Sequence, residues 1–557
     1  MKILDSRRIT GPSFFTEKPG AMIDVTVPTE KSNDVIAEWE LSVRTFLNGF
    51  GWTNEITQYR KYKGSVSLFM SAPIDALYSA CDVNETAFQF SILKNLNSFD
   101  VELKRLKKLI DEESDPAILK LKNVAKKHGV KFLQSDDIIS VGTGTGCRAF
   151  RVDKIPKPSD IDWSSIHDIP IGLITGTNGK STSVRLMESI LFEAGITSGA
   201  SSTDGIRVAR KTVESGDYSG PEGARSTLRN PQVEMAVLEV ARGGMLRRGL
   251  PVRNVDAALI TNIANDHFGD YGVNSISEMA TTKFIVSKGL KDEGILILNA
   301  DDNAIIENSK NCSKSICWFS LNSNNPRLLA HIHKGGMGAY LDDDKLIFVN
   351  NKKKIKLMHI HDIPITMKGI ARYNISNSLG ALCLAKAIHI ENKFIINGLK
   401  NFTSSFENNP GRCNYFEKKG ISILLDFAHN PHGLSALLEL ANHFPAKRKL
   451  ILLSQAGDRS NADIENLVQK AMALNPAQVH IADVAENYQR GRNPGEIIQV
   501  FKNAFLSSGL TEKYIDTFSS FSAGVKGSLE WAEEGDFLLL LVLDDLIESK
   551  KMIDDFE

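Results

Sequence analysis

Cysteine is scarce: six thiols (Cys81, Cys147, Cys312, Cys317, Cys383 and Cys413) are spread over 557 residues, too few for a disulfide framework in so long a chain. Only Cys312 and Cys317 lie close together. Without a second pair or nearby histidines they make no zinc signature, so reduced structural thiols are expected. Neither sign of charge is in excess, with 66 basic against 67 acidic residues and a net charge of −1. A sequence-independent grip on nucleic acid needs a basic footprint, so no nucleic-acid partner is expected. Long apolar runs are also missing. The longest, Phe537–Leu543, is bounded by Asp536 and Asp544, is far too short to cross a bilayer, and reads as a buried strand. The first residues, Met1 to Arg8, lack the apolar core of a secretory signal. These features predict a cytoplasmic protein with no membrane partner. What remains is an ordinary globular composition, 42% hydrophobic and 24% charged with 41 Gly and 18 Pro, which excludes collagen-like, coiled-coil and mostly disordered chains. The length predicts about three or four domains, and no repeat pointing to a solenoid is visible.

Three regions differ in texture. Residues 1–160 mix strand-like pieces (Met22–Val27, Gly64–Met70) with helical ones (Ser32–Asn48, Val101–Glu112, Pro116–His128) and predict a small α+β domain. The stretch Val152–Asp168 holds Pro156 and Pro158 and reads as a linker. Over 161–408, short apolar strands alternate with helices: Ile169–Ile174, Met235–Leu238, Ala257–Ile260 and Gly294–Leu298. That alternation predicts an α/β domain with an open, mostly parallel sheet covered on both faces. A break at Asn408-Asn409-Pro410-Gly411 opens a second α/β series over 409–557, with strands at Ile421–Leu425, Lys449–Leu453, Gln478–Ala482 and Phe537–Leu543. The basic run Lys352-Lys353-Lys354 reads as a hairpin loop. Gly142-Thr143-Gly144-Thr145-Gly146 lacks the βαβ surroundings of a dinucleotide site and reads as a loop.

The strongest local signal is Ile174-Thr175-Gly176-Thr177-Asn178-Gly179-Lys180-Ser181-Thr182, an apolar strand entering a Gly-rich turn and then a helix over Val184–Phe192. Glycines let backbone N–H groups close around phosphate oxygens, and the helix N-terminus adds positive potential. Lys180 would neutralise the β- and γ-phosphates, and Ser181 or Thr182 would touch Mg²⁺. The spacing departs from G-x-x-x-x-G-K-[ST], because Ile174 stands where the first glycine belongs. Downstream, Glu239 follows the strand Met235–Leu238, and His267 follows Asp266 shortly after Ile260-Thr261-Asn262. Taken alone, Glu239 reads as a surface ion-pair partner and His267 as a loop histidine. Beside a phosphate loop at the C-terminal ends of strands, the two suit Mg²⁺ or Mn²⁺.

In order along the chain, Gly176–Ser181, Glu239, Thr261-Asn262 with Asp266-His267, Lys283, Asn299-Ala300-Asp301-Asp302, Pro410-Gly411-Arg412 and Asp426–Pro431 resemble the motifs of Mur-type ligases. Within that superfamily, Ser202–Ile206, Gly216–Pro221, Leu238–Leu250 and Arg490–Glu496 resemble the cyanophycin synthetase family, as do Lys2-Ile3-Leu4, Thr10-Gly11-Pro12 and Ser114–Arg151 near the N-terminus. In that family an ATP-grasp module follows the N-terminal region, whereas here the chain passes almost at once into the Mur-type half. The resemblance therefore implies three parts. They are a small α+β domain over 1–160, a central P-loop ATPase domain over 161–408 and a Rossmann-like α/β domain over 409–557.

The implied activity is an ATP-dependent amide ligase. A carboxylate attacks the γ-phosphate, and an amine then displaces phosphate from the acyl phosphate. By the same resemblance Lys180, Glu239, His267 and Lys283 are catalytic, with Ser181, Glu239 and His267 at the metal. Lys283 matches a lysine that is carbamylated in several Mur ligases; a plain cation is the alternative. Asn299 would contact adenine, Arg412 the phosphates and Asp426 the ribose. His429 and Asn430 would line the nucleotide side, and Asn374 and Asn377 would flank ATP or cap a helix.

Arg242, Arg247, Arg248 and Arg253, with Arg225 before them, suit recognition of carboxylates or form a solvated face. Asp458, Arg492 and Glu496 are candidates for the incoming amine, with arginine or another basic amino acid favoured. The expected partners are an amino acid and a peptide or aspartyl acceptor, beside a separately encoded ATP-grasp ligase. Association with further copies of the chain stays open. A peptidoglycan or folylpolyglutamate ligase ranks lower, and a non-catalytic scaffold regulating an ATP-grasp partner is the alternative from another class.

Overall fold

A computed structural model describes residues 1–93, 99–266 and 268–556. The N-terminal region forms an antiparallel sheet in the order Lys2–Ile9, Gly20–Thr26, Ser65–Ser71, Thr57–Tyr62. The helices Ser32–Phe50 and Leu77–Leu93 cover it, and its inner strands are buried nearly throughout. A second small sheet, Phe132–Gln134, Ile138–Val141 and Arg148–Arg151, includes the expected Gly142–Gly146 loop between its last two strands. The linker has no strand or α-helix but is packed: Trp163 stacks on His128 at 4.4 Å.

The central sheet has eleven strands. From Ser198–Ser202 through Met235–Glu239, Ile171–Thr175, Val255–Ile260, Leu290–Asn299 and Ser315–Ser320 to Met337–Asp342 every pairing is parallel. Antiparallel hairpins extend both edges, and the one carrying Lys352 joins this sheet instead of standing alone. Ile171–Thr175 lies inside the sheet and is wholly buried, as parallel strands covered on both faces require. The C-terminal sheet runs Asn414–Lys418, Ile421–Asp426, Phe537–Leu541, Lys449–Leu453, Gln478–Ala482, Ile515–Phe518, with only the first strand antiparallel. All six cysteines are free thiols. Among the described residues no helix is long and apolar enough to cross a membrane.

Candidate active site

The strand Ile171–Thr175 ends in the Gly-rich turn, and the helix Lys180–Glu193 begins directly after it. Two glycines in this turn are required by sterics and conformation together. A Cβ on Gly176 (φ +153°) would stand 1.8 Å from Thr261 Oγ1, and one on Gly179 (φ +82°) 2.2 Å from Asn377 Oδ1. The loop is braced from the next strand: the Thr177 N–H donates to the Asn262 carbonyl at 2.9 Å, and the Asn178 N–H donates to Asn262 Oδ1 at 3.0 Å. Gly179–Thr182, at the helix start where N–H groups lack intrahelical partners, line a cleft of about 640 Å³. A Gly179→Ala variant is expected to bind ATP at least about tenfold more weakly, because the left-handed conformation alone costs about 1–2 kcal/mol for a residue with a Cβ. Isothermal titration of ATP checks this.

Glu239 ends the strand beside Ile171–Thr175 and is 1% exposed. Ser181 Oγ donates to its Oε2 at 2.8 Å, and Lys180 Nζ lies 4.0 Å from its Oε1. Lys180 Nζ also donates to the Thr177 carbonyl at 2.9 Å, which holds the ammonium over the loop. Burial pushes the Glu239 carboxyl upward and Lys180 opposes that shift. Among the described residues its buried Oε1 accepts no hydrogen bond, which leaves that oxygen able to ligate a divalent cation.

Lys283 closes the helix Ile276–Lys283 and is almost fully buried. Burial, and then repulsion from Lys180, lowers its pKa to about 7. His267 lies outside the described residues, while Asp266 beside it pairs with Arg459 of the C-terminal domain at 3.7 Å.

The C-terminal domain supplies the facing wall. Asp426 ends the strand Ile421–Asp426; its Oδ2 accepts from the Cys413 N–H and its Oδ1 from the Ala428 N–H, both at 2.7 Å. The Arg412 guanidinium sits 4.4 Å over the Phe427 ring and lines the cleft. His429 Nδ1 donates to the Phe427 carbonyl at 3.0 Å, and burial lowers the ring's pKa, so the imidazole is neutral with its lone pair on Nε2.

Asn430, expected on the nucleotide side, faces the phosphate loop. It forms a reciprocal amide pair with Asn178 of the phosphate loop, at 3.2 and 3.0 Å, and also caps the helix Pro431–Ala441. Asn299 and Asn374 line the cleft but are braced. Asn299 Nδ2 donates to the Thr261 carbonyl (3.0 Å), and Asn374 Nδ2 to the Ile365 carbonyl (2.9 Å). Thr182 accepts from Asn409 Nδ2 at 3.4 Å.

The charged groups expected to meet substrates divide. Arg242 is half-buried and close enough to Lys283 to depress its pKa, and Arg247 is exposed on the same short helix, Arg242–Arg248. Arg225 is committed elsewhere: it is buried, paired with Glu222 and donating to Thr10 Oγ1 at 2.7 Å, so it ties the N-terminal segment down. Arg492 donates to the carbonyls of Gly457 and Arg459 and to Asn461 Oδ1, and pairs with Glu496 at 3.2 Å. These bonds hold the loop that carries Arg492 in shape beside Glu496. Asp458, 31% exposed, pairs with Arg490. Sequence reasoning missed Arg459 and His432, the latter 2.9 Å from Asn178 Nδ2. Both act across the domain boundary, and only the proximity of Arg459 to Asp458 marked it.

Residues 174–385 match the Mur ligase middle domain, and 411–541 match the Mur ligase glutamate ligase domain. The chain belongs to the Mur ligase family. Members of this family are ATP-dependent ligases that form C–N bonds. The chain is 32% identical over 388 residues to a cyanophycin synthetase of Geminocystis herdmanii (70% of this chain, 44% of that one). It is 35% identical over 393 residues to one from Synechocystis (69% and 44%). This Mur ligase chain thus spans less than half the length of those relatives. Among solved structures, E. coli FolC in complex with DHPP and ADP superposes with a TM-score of 0.53 at 18% identity, over 69% of this chain and 88% of that one. That likeness supports the fold.

Proposed function

We propose that this Mur ligase joins the amine of an amino acid, arginine or another basic one, to a carboxylate of an aspartyl or peptide acceptor, using ATP. The observation that carries the reading is the convergence of Lys180, Ser181 and the buried, under-satisfied Glu239 at the mouth of the phosphate loop. The FolC structure that shares this fold is in complex with ADP, which supports a nucleotide as a ligand here. The domain limits 1–160, 161–408 and 409–557 are part of the same proposal.

In the first step an acceptor carboxylate oxygen attacks the γ-phosphorus, and the bond to the β-phosphate oxygen breaks to release ADP. The amine nitrogen then attacks the acyl carbon, the C–O bond to phosphate breaks, and the nitrogen loses a proton. Two anions must meet in the first step, so cationic groups carry much of the catalysis. Lys180 meets the phosphates from below, while Arg412 reaches them from the C-terminal wall. Asp426, its carboxylate oriented by two backbone N–H groups, receives the ribose hydroxyls. Ser181 and Glu239 would hold Mg²⁺, with His267, and the bound ion would offset the charge of triphosphate and acceptor.

Lys283 at a pKa of about 7 exposes neutral amine to CO₂ near neutrality. Its carbamate would replace a cation repelled by Lys180 with an anion attracted to it. Arg242 and Arg247 receive the acceptor's carboxylates. The amine's basic side chain is proposed on the likeness to cyanophycin synthetases, with Asp458 as the surface carboxylate it would meet. A separate ATP-grasp ligase would supply the acceptor backbone. An acceptor labelled with ¹⁸O in its carboxylate tests the chemistry: the acyl-phosphate route transfers one label to the released phosphate, and unlabelled phosphate would rule it out.

A further inference from the structure

Residues 1–62 do more than cap the molecule. They grip both ends of the segment that carries Lys283. At its N-terminal end, Arg60 donates to the Tyr271 carbonyl and, at 3.1 Å, to the Gly272 carbonyl. It also lies 3.9 Å from Glu278, in the first turn of the helix Ile276–Lys283. The turn it holds is an unusual one. Tyr271 has φ +51°, and its ring lies under the Arg7 guanidinium at 4.7 Å. Gly272, at φ +68°, presses on the Tyr62 ring so closely that a Cβ would stand 2.6 Å from it. At the other end, just beyond Lys283, Lys288 Nζ donates to the carbonyls of Ser13 and Phe14 at 2.8 and 2.9 Å.

The arginine-bearing helix Arg242–Arg248 is held in the same way. Arg7 Nε donates to the Leu246 carbonyl at 3.1 Å, and the Thr10 N–H to the Arg248 carbonyl at 2.8 Å. These are carbonyls that a helix C-terminus leaves without partners.

We propose that the N-terminal domain is a positioning element of the ligase centre, with Arg60 as its principal positioning residue, fixing where Lys283 stands relative to Lys180 and Glu239. A side chain that is 18% exposed and spends its donors on two consecutive backbone carbonyls sets the height of a turn; an Arg–carboxylate pair between domains would fix only proximity. Displacement of a reacting group by about 1 Å can cost on the order of 10²-fold in rate. The inference rests on the ligase reading for its catalytic consequence, but the grip itself does not.

The test uses the full chain carrying Arg60→Ala, Arg60→Lys or, as a control inside the N-terminal domain, Arg44→Ala, which loses bonds to the Glu55 carbonyl and Thr57 without touching the central domain. Hydrogen–deuterium exchange over 271–289 is expected to rise about tenfold in Arg60→Ala, corresponding to roughly 1.4 kcal/mol of local stability, with 176–193 unchanged. Turnover should fall about ten- to hundredfold at an ATP KM within about twofold, and Arg60→Lys should recover part of it. Two results would overturn the proposal. One is unchanged exchange over 271–289. The other is a loss of turnover that Arg44→Ala reproduces at an equal drop in melting temperature, which would mark general destabilisation of the N-terminal domain. If the wild-type protein turns over no acceptor, the ligase reading fails while the exchange result still decides the grip.

Discussion

Replacing Lys180 with alanine is expected to lower ATP-driven phosphate release by about 10²–10³-fold, the scale for removing one preorganised group facing developing charge. Two effects act together. The ammonium over the phosphate loop disappears, and with it the charge that most strongly opposes protonation of the buried Glu239. The Glu239 carboxyl would therefore titrate higher in the variant, so its activity limb should move to higher pH as well as falling in height. Lys180→Arg restores a charge, but a planar guanidinium does not match the point charge held by the Thr177 carbonyl. Only partial recovery is expected. Steady-state phosphate release across pH, with ATP binding measured separately, distinguishes lost chemistry from lost affinity.

Lys283 gives the second large effect. An ordinary lysine, with a pKa near 10.4, is neutral in only about one molecule in a thousand at pH 7.4. At about 7, the neutral amine is a major form, and its share grows as pH rises. Carbamate formation from CO₂ consumes that neutral amine and releases a proton. Activity should therefore rise from pH 6 to pH 8, fall in CO₂-depleted buffer, and return on adding bicarbonate. Lys283→Ala should lose about 10²-fold or more, with small carboxylic acids restoring part by returning an anion to the vacated space. If Lys283→Ala is inactive but bicarbonate changes nothing, Lys283 works as a plain cation. An active Lys283→Ala would remove it from the mechanism.

The contrast between what could and could not be read in the chain follows physical range. Ile171–Thr175 and Phe537–Leu541 were legible because buried parallel strands are short apolar runs whatever lies around them. The phosphate loop was legible because the positive φ of Gly176 and Gly179 is a local demand for glycine, whereas the Thr261 and Asn377 atoms that crowd them lie far along the chain. The Lys352 hairpin was readable as a turn, but not as an edge of the central sheet, because that place depends on the parallel pairing of Met337–Asp342 with Ser315–Ser320, a tertiary choice.

Arginines were the least legible residues. Arg225, Arg492 and Arg60 have long side chains whose partners lie on Thr10, Gly457 and Gly272, and nothing local to any of them marks those positions. Density of arginine suggested acceptor binding at Arg225, and its bond to Thr10 could not be read from the chain. The Asn178–Asn430 pair shows the same limit. Each residue sits in a recognisable motif, but that the two motifs touch across 252 residues is information only the fold contains.

The central claim is tested most directly by phosphate release from ATP and Mg²⁺ with the purified protein, across amino acids paired with β-aspartyl and other short acidic acceptors, with Lys180→Ala alongside. The account predicts release that requires both an amine and an acceptor, is greatest with a basic amino acid, and falls about 10²–10³-fold in the variant. Release that needs neither partner, or ATP binding with no release under any pairing, would contradict it and favour a non-catalytic role beside another ligase.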